Sequence, residues 1–262
     1  MSAEDAWAPL VERFVDQQSA SLSGRVRRHV LAAHLREHLP QPPAALVDVG
    51  GGAGQHSIPL ARQGYQVTIV DSSPAMLARA RERLGGEPAE VAGRVRLIES
   101  PAEEAPRALG GAQFAGVLCH AVIMYFDDPE PLVAALAGLT EPGGIVSLVA
   151  KNTTALVIQP ALAGDWAQAL AAFDTDRGVN YLGLDTRADT VEGLTALMGR
   201  HGLHRLAWYG VRLFTDPWTP PLPLAADAEE LALEVELQAS RRDPYRQMSR
   251  LFHVIAQRRP PV

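Results

Sequence analysis

The stretch Val47-Asp48-Val49-Gly50-Gly51-Gly52-Ala53-Gly54 decides the fold of this chain. It continues an apolar run, residues 45–49, whose β-branched side chains predict a buried strand. Residues 56–62 predict a helix, so the glycines join a strand to a helix. Glycines also let a backbone approach a ligand closely, because no Cβ stands in the way. A strand–glycine–helix unit favours a nucleotide cradle, and a plain tight turn is the alternative.

Strands and helices continue to alternate along the chain. This alternation predicts a parallel sheet covered on both faces, with ligands bound beyond the carboxyl ends of its strands. Two helices, at 5–17 and 25–39, precede the first strand. Further strands are predicted at 65–71, 95–98, 114–119, 145–149, 203–214 and 251–256, and further helices at 74–84, 131–139, 190–200 and 226–240.

Composition and charge exclude several classes of protein. The 262 residues, 47% of them hydrophobic, are typical of a large globular domain and not of a disordered chain. No apolar stretch reaches the roughly 18 residues of a membrane-spanning helix. The acidic start lacks the pattern of a signal peptide, so we expect a cytoplasmic protein with no membrane partner. Cys119, the single cysteine, cannot form a cysteine zinc cluster, and we expect no metal.

Two aspartates indicate which nucleotide the glycine loop holds. Asp71 ends the second predicted strand, where a carboxylate accepts hydrogen bonds from ribose hydroxyls. Asp48 would repel the pyrophosphate of a dinucleotide, whereas S-adenosylmethionine carries an ammonium and a sulfonium and no phosphate. The turn Glu141-Pro142-Gly143-Gly144 favours the same cofactor. The residues therefore favour S-adenosylmethionine, and a nicotinamide-dependent oxidoreductase is the alternative.

Three segments make the chain resemble the class I S-adenosylmethionine-dependent methyltransferases. They are residues 47–54, residues 71–77, and Pro142-Gly143-Gly144 before the fifth predicted strand. A closer resemblance, to the bacterial tRNA 5-carboxymethoxyuridine methyltransferases, extends over nearly the whole chain. Its signals are residues 24–27, 50–55, 120–122, 142–148, 163–166, 210–214, 242–245 and 253–254, together with Asn152.

The resemblance implies a Rossmann-like, doubly wound α/β fold. Its sheet is mostly parallel and seven-stranded, with an antiparallel last strand and a helical N-terminal cap. We expect a single methyltransferase domain over residues 1–262. Within it, residues 1–40 form the cap, 41–150 the cofactor-binding half, 151–190 a lid or insert, and 191–262 the C-terminal half on the substrate side.

The resemblance also implies the cofactor and its contacts. S-adenosylmethionine is the methyl donor, and S-adenosylhomocysteine is the product. By position alone Arg27 is a surface arginine, but the family's cofactor-contacting arginine falls on it. We expect cofactor contacts from Arg27, Asp48, Gly50, Gly51, Gly52, Gly54, Asp71, Ser72, Met76, Ala102, Glu103 and His120.

Candidates for the transfer chemistry come from the chain after the fourth strand. His120 lies where the methyl group meets its acceptor, and it lines the site, acts as a base, or bonds to the backbone. An acceptor carboxylate is already ionised at neutral pH, so it needs positioning and an arginine clamp rather than a base. Arg212 is predicted within a strand. Tyr245 with Arg242 and Arg246 is a candidate polar pocket wall, and the alternative, favoured for Arg246, is an ordinary arginine on a helix surface. The candidate catalytic residues are His120, Arg212, Arg242 and Tyr245.

The acceptor has two candidates. The resemblance implies O-methylation of the carboxylate of a modified wobble uridine in tRNA. A small-molecule carboxylate or phenol is favoured by the net charge of −6 and by segments that depart from the family, residues 124–126, 167–190 and 215–224. Trp166, Trp208 and Trp218 either stack on the acceptor or pack in the protein. A relative that binds the cofactor without turnover is a further alternative.

Overall fold

The computed structural model describes residues 7–216 and 225–259, and only the backbone of residues 16–20. Within these residues the chain forms nine strands. They are β1 (Ala45–Val49), β2 (Gln66–Asp71), β3 (Val95–Glu99), β4 (Phe114–His120), β5 (Thr140–Lys151), β6 (Arg177–Val179), β7 (Asp185–Arg187), β8 (Leu203–Val211) and β9 (Leu251–Arg258). Strands β6 and β7 pair with each other, and the other seven form one sheet.

The strand order of the large sheet is β3-β2-β1-β4-β5-β9-β8. Strand β9 is antiparallel to both of its neighbours, β5 and β8, and every other pair in the sheet is parallel. The prediction of a seven-stranded, mostly parallel sheet with an antiparallel last strand is confirmed. The winding direction reverses between β1 and β4, which is the place where open α/β sheets bind their ligands.

Helices lie on both faces of this sheet. They are α1 (Val11–Ala20), α2 (Leu22–His38), α3 (Ser57–Arg62), α4 (Pro74–Gly85), α5 (Ala89–Ala92), α6 (Ala105–Ala108), α7 (Glu130–Leu139), α8 (Thr154–Leu162), α9 (Trp166–Ala171), α10 (Val191–Arg200) and α11 (Ala226–Ala239). Helix α4 begins where the sequence predicts, because Ser73 Oγ accepts a hydrogen bond from the Met76 N–H at 3.2 Å and Pro74 occupies the first turn. No described helix is both long and apolar enough to cross a membrane.

Successive strand residues bury opposite faces of the sheet. Val47 packs in one hydrophobic cluster with Leu136 of α7. Leu46, one residue earlier, packs in another with Leu60 of α3. Burying a side chain of this size fully contributes about 1.5–3 kcal/mol. The doubly covered sheet therefore explains why the strands are apolar on both faces.

Strand β8 ends earlier than the sequence predicts, and this corrects the position of Arg212. Arg212 lies just beyond β8 and has a φ of 65°, so it is not inside a strand. The buried carboxylate of Glu236 accepts the N–H groups of Leu213, Phe214 and Thr215 at 2.8–2.9 Å. These hydrogen bonds replace the strand ladder and turn the chain away from the sheet.

The N-terminal helix also differs from its prediction. It spans Val11–Ala20 after a short 3₁₀ turn at Ala8–Leu10, and residues 5 and 6 of the predicted helix lie outside the described residues. The structure places α1 and α2 in the region expected as a cap, and α8, α9, β6 and β7 in the region expected as a lid. The division of the domain at residues 40, 150 and 190 stays a prediction.

Candidate active site

A cavity of about 480 Å³ lies beyond the carboxyl ends of β1, β2, β4 and β5. This volume is within the range of small-molecule sites. Nine of the twelve residues expected to contact the cofactor line the cavity. They are Arg27, Gly50, Gly52, Asp71, Ser72, Met76, Ala102, Glu103 and His120.

The glycine loop after β1 forms one wall of the cavity. Gly50 has a φ of +71°, and a Cβ there would lie 2.3 Å from Val122 Cγ2. Neither the conformation nor the space admits a larger residue. Gly51 and Gly54 lie behind this wall, where Cβ atoms would meet the Asp48 carboxyl carbon at 2.8 Å and Ile58 at 3.2 Å. These two glycines let the loop pack onto the sheet rather than face the cavity.

Asp48 lies beneath the glycine loop and does not line the cavity. Its side chain is 2% exposed and accepts a hydrogen bond from Ser57 Oγ at 2.6 Å. Burial raises the pKa of Asp48 to about 6, although the Ser57 hydrogen bond opposes this shift. The structure thus places this carboxylate one layer behind the position expected for a direct cofactor contact.

Asp71 at the end of β2 faces the cavity in a fixed orientation. Its Oδ2 accepts the Gly52 N–H at 2.8 Å, and its Oδ1 accepts the Ser73 N–H at 2.9 Å. The carboxylate therefore holds the glycine loop to the start of α4. Ala102 and Glu103 line the same end of the cavity.

Arg27 on α2 is a buried cation on the cavity wall. Its side chain is 6% exposed, and its Nη2 donates to the main-chain carbonyl oxygen of His120 at 3.2 Å. Within the described residues it has no ion pair, and its buried Nε has no hydrogen-bond partner. Burial, then repulsion from Arg212, lowers its pKa to about 10, which still leaves the guanidinium charged at neutral pH.

Three further cations line the other end of the cavity: Lys151, Arg212 and Arg250. Arg212 Nε donates to Asp216 Oδ1 at 2.7 Å, and Arg250 Nε lies 3.6 Å from Asp216 Oδ2. A single carboxylate therefore forms ion pairs with two arginines. Within the described residues Lys151 has no carboxylate partner at all, so this end of the cavity carries an excess of positive charge. We call these three residues the cationic wall.

Lys151 is held by neutral oxygen atoms. Its Nζ donates to the Gly178 carbonyl oxygen at 2.9 Å and to Thr186 Oγ1 at 2.8 Å, both in the β6–β7 hairpin. Burial is the main cause that lowers its pKa to about 8, and repulsion from Arg250 adds to it. The hairpin thus covers the only lysine of the chain.

The sequence interpretation missed Lys151 and Arg250, although a signal for them exists. Lys151 ends the parallel strand β5, and the carboxyl ends of parallel strands form the binding edge of a sheet. Lys151 pairs with Leu251, the first residue of the antiparallel β9, so Arg250 falls at the same edge. Arg212 follows Val211, which also pairs with Leu251. Strand pairing therefore brings all three cations together.

His120, the last residue of β4, lines the cavity but is 7% exposed. Its Nε2 lies 2.7 Å from Ser147 Oγ, and its Nδ1 is buried without a partner in the described residues. Burial lowers the pKa of His120 well below its usual value, so the ring is neutral. Burial also raises the pKa of the neighbouring Cys119 thiol, in agreement with a core position.

The structure does not bring Arg242 and Tyr245 to the cavity, contrary to the predicted polar wall. Both side chains are exposed, and Arg242 bonds to Gln238 on the same side of the molecule. Arg246 instead lies over the ring of Trp208, with 4.1 Å between its Cζ and the ring centroid. These residues fall on the connection after α11, whose 3₁₀ turn at Tyr245–Met248 packs on β8.

Aromatic side chains cover the cavity from the N-terminal side. The ring centroid of Trp7 lies 5.2 Å from that of Tyr125 and 5.6 Å from that of Phe14, and all three rings line the cavity. Trp166 is 71% exposed and lies outside the cavity. Trp218 and most of the proline-rich segment, residues 217–224, lie outside the described residues.

The chemistry of the donor and acceptor set fits S-adenosylmethionine. The unpartnered Nε of Arg27 suits the carboxylate of its methionine part, and Asp71 suits its ribose hydroxyls. A backbone held close to the ligand by Gly50 and Gly52 completes the cradle. Among the described residues, no group of three or more histidine, cysteine, aspartate or glutamate side chains is arranged to hold a metal ion.

Comparisons with known proteins agree with this site. The family described as "Methyltransferase domain" matches residues 47–148, from the glycine loop to β5. The chain is 26% identical, over 95% of its length and 94% of the relative's, to the tRNA 5-carboxymethoxyuridine methyltransferase of Escherichia coli strain K12. It is 29% identical to the ubiquinone biosynthesis O-methyltransferase of Xanthomonas campestris, over 61% of this chain and 65% of that protein.

A solved structure shows the same fold. The CcbJ methyltransferase from Streptomyces caelestis superposes with a TM-score of 0.63 at 15% identity, covering 98% of this chain and 97% of that one. The fold, the glycine loop with Asp71 and the matched methyltransferase domain agree with one another and replace the oxidoreductase alternative. Together these findings support a class I S-adenosylmethionine-dependent methyltransferase.

Proposed function

We propose that this methyltransferase transfers its methyl group to a carboxylate, forming a methyl ester. The observation that carries the proposal is the cationic wall, in which Lys151, Arg212 and Arg250 face the cavity with Asp216 as the one carboxylate between them. Such a surplus of buried positive charge is costly unless an anion occupies the site. An acceptor carboxylate supplies that anion.

The proposed reaction needs little acid–base chemistry. Bound S-adenosylmethionine supplies an electrophilic methyl group on a sulfonium. A carboxylate is already ionised at neutral pH, so no residue has to remove a proton from it. The cationic wall would orient the acceptor oxygen, and the aromatic cover of Trp7, Phe14 and Tyr125 would exclude water. His120 has too low a pKa for a general base in this pH range.

The cofactor contacts in this proposal are those that line the cavity. Arg27 would pair with the methionine carboxylate, and Asp71 would accept the ribose hydroxyls. His120 and the Gly50–Gly52 backbone would surround the methionine part. Ser72, Met76, Ala102 and Glu103 would surround the adenine and ribose.

The acceptor that we favour is the carboxylate of a modified wobble uridine in tRNA. The support is the similarity, over 95% of the chain, to a relative named for that reaction. The net charge of −6 does not favour a long-range attraction to RNA. The cationic wall would then recognise the single modified nucleotide rather than the RNA backbone. We expect this reaction to take place in the cytoplasm.

A small-molecule carboxylate or phenol is the second candidate. It is supported by the aromatic cover, in which Trp7 packs against both Phe14 and Tyr125 over the cavity. A small acceptor would need less room to pass this cover than a nucleotide within a tRNA loop. Similarity to ubiquinone biosynthesis O-methyltransferases agrees with such an acceptor.

The experiment measures transfer of labelled methyl groups to two bulk tRNA pools, one of which contains carboxymethoxyuridine. Mild alkali then distinguishes a methyl ester from other products. Alkali-labile label confined to that pool, and absent with the Asp71→Ala variant, is the expected result. No label in either pool, with S-adenosylhomocysteine binding intact, would overturn the tRNA acceptor and direct the same assay to small carboxylates and phenols.

A further inference from the structure

A continuous series of buried polar side chains begins at His120 and leads away from the cavity. His120 Nε2 and His253 Nε2 each lie 2.7 Å from Ser147 Oγ. The Nδ1 atoms of His253 and His34 are 3.2 Å apart, and His34 Nε2 lies 3.0 Å from Ser240 Oγ. None of the five side chains is more than 7% exposed. We call them the histidine–serine chain.

The histidine–serine chain connects five elements of the fold. It starts at the end of β4, crosses β5 and β9 within the sheet, passes to α2, and ends at the residue that follows α11. His34 is held from its other side by Tyr209, whose ring stacks on it with 3.9 Å between centroids. The arrangement therefore rests on packing from both the sheet and the helices.

All three histidines of the histidine–serine chain are neutral. Burial lowers the pKa of His253 to about 3 and that of His34 to about 2, and it lowers the pKa of His120 well below the usual value. A neutral imidazole has one N–H donor and one lone-pair acceptor. Each contact in the chain needs one donor and one acceptor. His34 and His253 must therefore each donate at one ring nitrogen and accept at the other, so the hydrogen at the Ser240 end sets the direction along the whole chain.

The carbonyl oxygen of Leu237 decides this direction. Ser240 Oγ lies 2.7 Å from that oxygen, which can only accept, so the Ser240 hydroxyl donates to it. Ser240 Oγ must then accept from His34 Nε2–H. The reverse direction would use the same hydroxyl hydrogen for His34 and leave the Leu237 carbonyl without it, at a cost of about 1–3 kcal/mol for a buried polar group.

The positions of the remaining hydrogens follow from the Ser240 end of the histidine–serine chain. His34 Nδ1 accepts from His253 Nδ1–H, and His253 Nε2 accepts from the Ser147 hydroxyl. Ser147 Oγ then accepts from His120 Nε2–H. This leaves the lone pair of His120 on Nδ1, the buried atom that has no partner in the described residues.

We propose that the histidine–serine chain fixes His120 as the Nε2–H tautomer, so that its Nδ1 serves the site as a hydrogen-bond acceptor. The group complementary to it is an N–H or O–H donor of the bound ligand, such as an ammonium or a hydroxyl. Ser147, His253, His34 and Ser240 are positioning residues that act through His120. The inference deepens the proposed site and rests on His120 lining it, but it does not depend on the identity of the acceptor.

The test reads the tautomers directly. Two-dimensional ¹H–¹⁵N spectra of the full-length, histidine-labelled protein at neutral pH show which ring nitrogen carries the hydrogen. We expect Nε2–H at His120, Nδ1–H at His253 and Nε2–H at His34. The opposite tautomer at these three residues, or a mixture at His120, would overturn the proposal. Neither result bears on the tRNA assay, so the two proposals fail separately.

Two variants test which residues of the histidine–serine chain determine the tautomer of His120. Ser147→Ala should shift His120 to a tautomer mixture and leave His253 and His34 unchanged, because Ser240 still orients them. Ser240→Ala should shift all three. Thr140→Val is the matched control, because it also removes a buried hydroxyl that donates to a helix carbonyl, that of Leu136. An unchanged His120 in both serine variants would overturn the proposal, and the wild-type spectrum still decides it if a variant does not fold.

Discussion

The guanidinium of Arg27 on α2 donates from Nη2 to the main-chain carbonyl oxygen of His120 at the end of β4, at 3.2 Å. This bond joins α2 to the centre of the sheet at the point where the cavity begins. It uses one donor of a five-donor group, and the buried Nε has no partner in the described residues. The protein therefore keeps a charged, incompletely bonded side chain on the cavity wall.

The first prediction concerns this side chain. Arg27→Met should weaken S-adenosylhomocysteine binding about 10- to 100-fold, since a hydrogen bond to a charged group contributes about 1.5–3 kcal/mol. The same variant should not lower the free energy of unfolding, because it removes a buried charge that lacks an ion-pair partner. Isothermal titration and thermal unfolding measure the two effects. The control is Arg36→Met, on the exposed side of the same helix. A destabilised variant with full affinity would contradict the assignment.

The second prediction concerns Asp71. Asp71→Ala should greatly reduce affinity for S-adenosylhomocysteine, because it removes the ribose acceptor and also frees the Gly52 and Ser73 N–H groups that fix the loop. Glu99→Ala is the matched control, since Glu99 is the exposed carboxylate paired with Asp71 on the neighbouring strand. Calorimetric titration gives both affinities. Wild-type affinity in Asp71→Ala would remove the ribose assignment.

The third prediction concerns the pH dependence that Lys151 introduces. Its pKa of about 8 means that the ammonium is lost as the pH rises above 8. The KM for a carboxylate acceptor should therefore increase between pH 7 and 9, while affinity for S-adenosylhomocysteine stays constant. Lys151→Arg should keep KM low across this range, and Lys151→Met should raise KM at pH 7 toward the value that the wild type reaches at pH 9. Steady-state kinetics across this range measures KM. A KM that is the same in the wild type and in both variants would exclude Lys151 from acceptor binding.

Rising pH has the opposite effect on the contribution of Lys151 to stability from its effect on acceptor binding. The unfolded chain holds the Lys151 proton up to its ordinary pKa of 10.5, whereas the folded chain releases it near 8. Between these values the unfolded state binds more protons, so the contribution of Lys151 to the free energy of unfolding rises with pH. Chemical denaturation of the wild type and Lys151→Met between pH 8 and 10 would show whether this rise belongs to Lys151.

The fourth prediction concerns Gly50. Gly50→Ala should abolish cofactor binding and destabilise the protein, because its Cβ would lie 2.3 Å from Val122 Cγ2 and its φ is +71°. The double variant with Val122→Ala should recover part of the stability by removing the overlap, although the unfavourable φ persists. Thermal unfolding of the three variants separates the steric from the conformational cost. Equal stability of the single and double variants would show that Val122 is not the obstacle.

The sequence predicted the sheet well, and nine of the twelve residues that it predicts to contact the cofactor line the cavity. Strand positions follow from short apolar runs, and the glycine loop and Asp71 are adjacent to these strands in the chain. Local patterns also placed Ser73 and Pro74 at the start of α4. They failed at Arg212, because the carboxylate that ends β8 belongs to Glu236, on a helix that follows later in the chain.

The sequence by itself thus determined the fold class, the cofactor, and the site residues in the glycine loop after β1 and at the end of β2. Only the tertiary structure decided that Asp48 lies behind the loop, that Arg242 and Tyr245 lie away from the cavity, and that the cationic wall forms. The physical reason is the insertion of β9 between β5 and β8, which brings the end of β5, the start of β9 and the end of β8 to one edge. Local periodicity encodes each strand, but the pairing of distant strands depends on burial summed over the whole sheet.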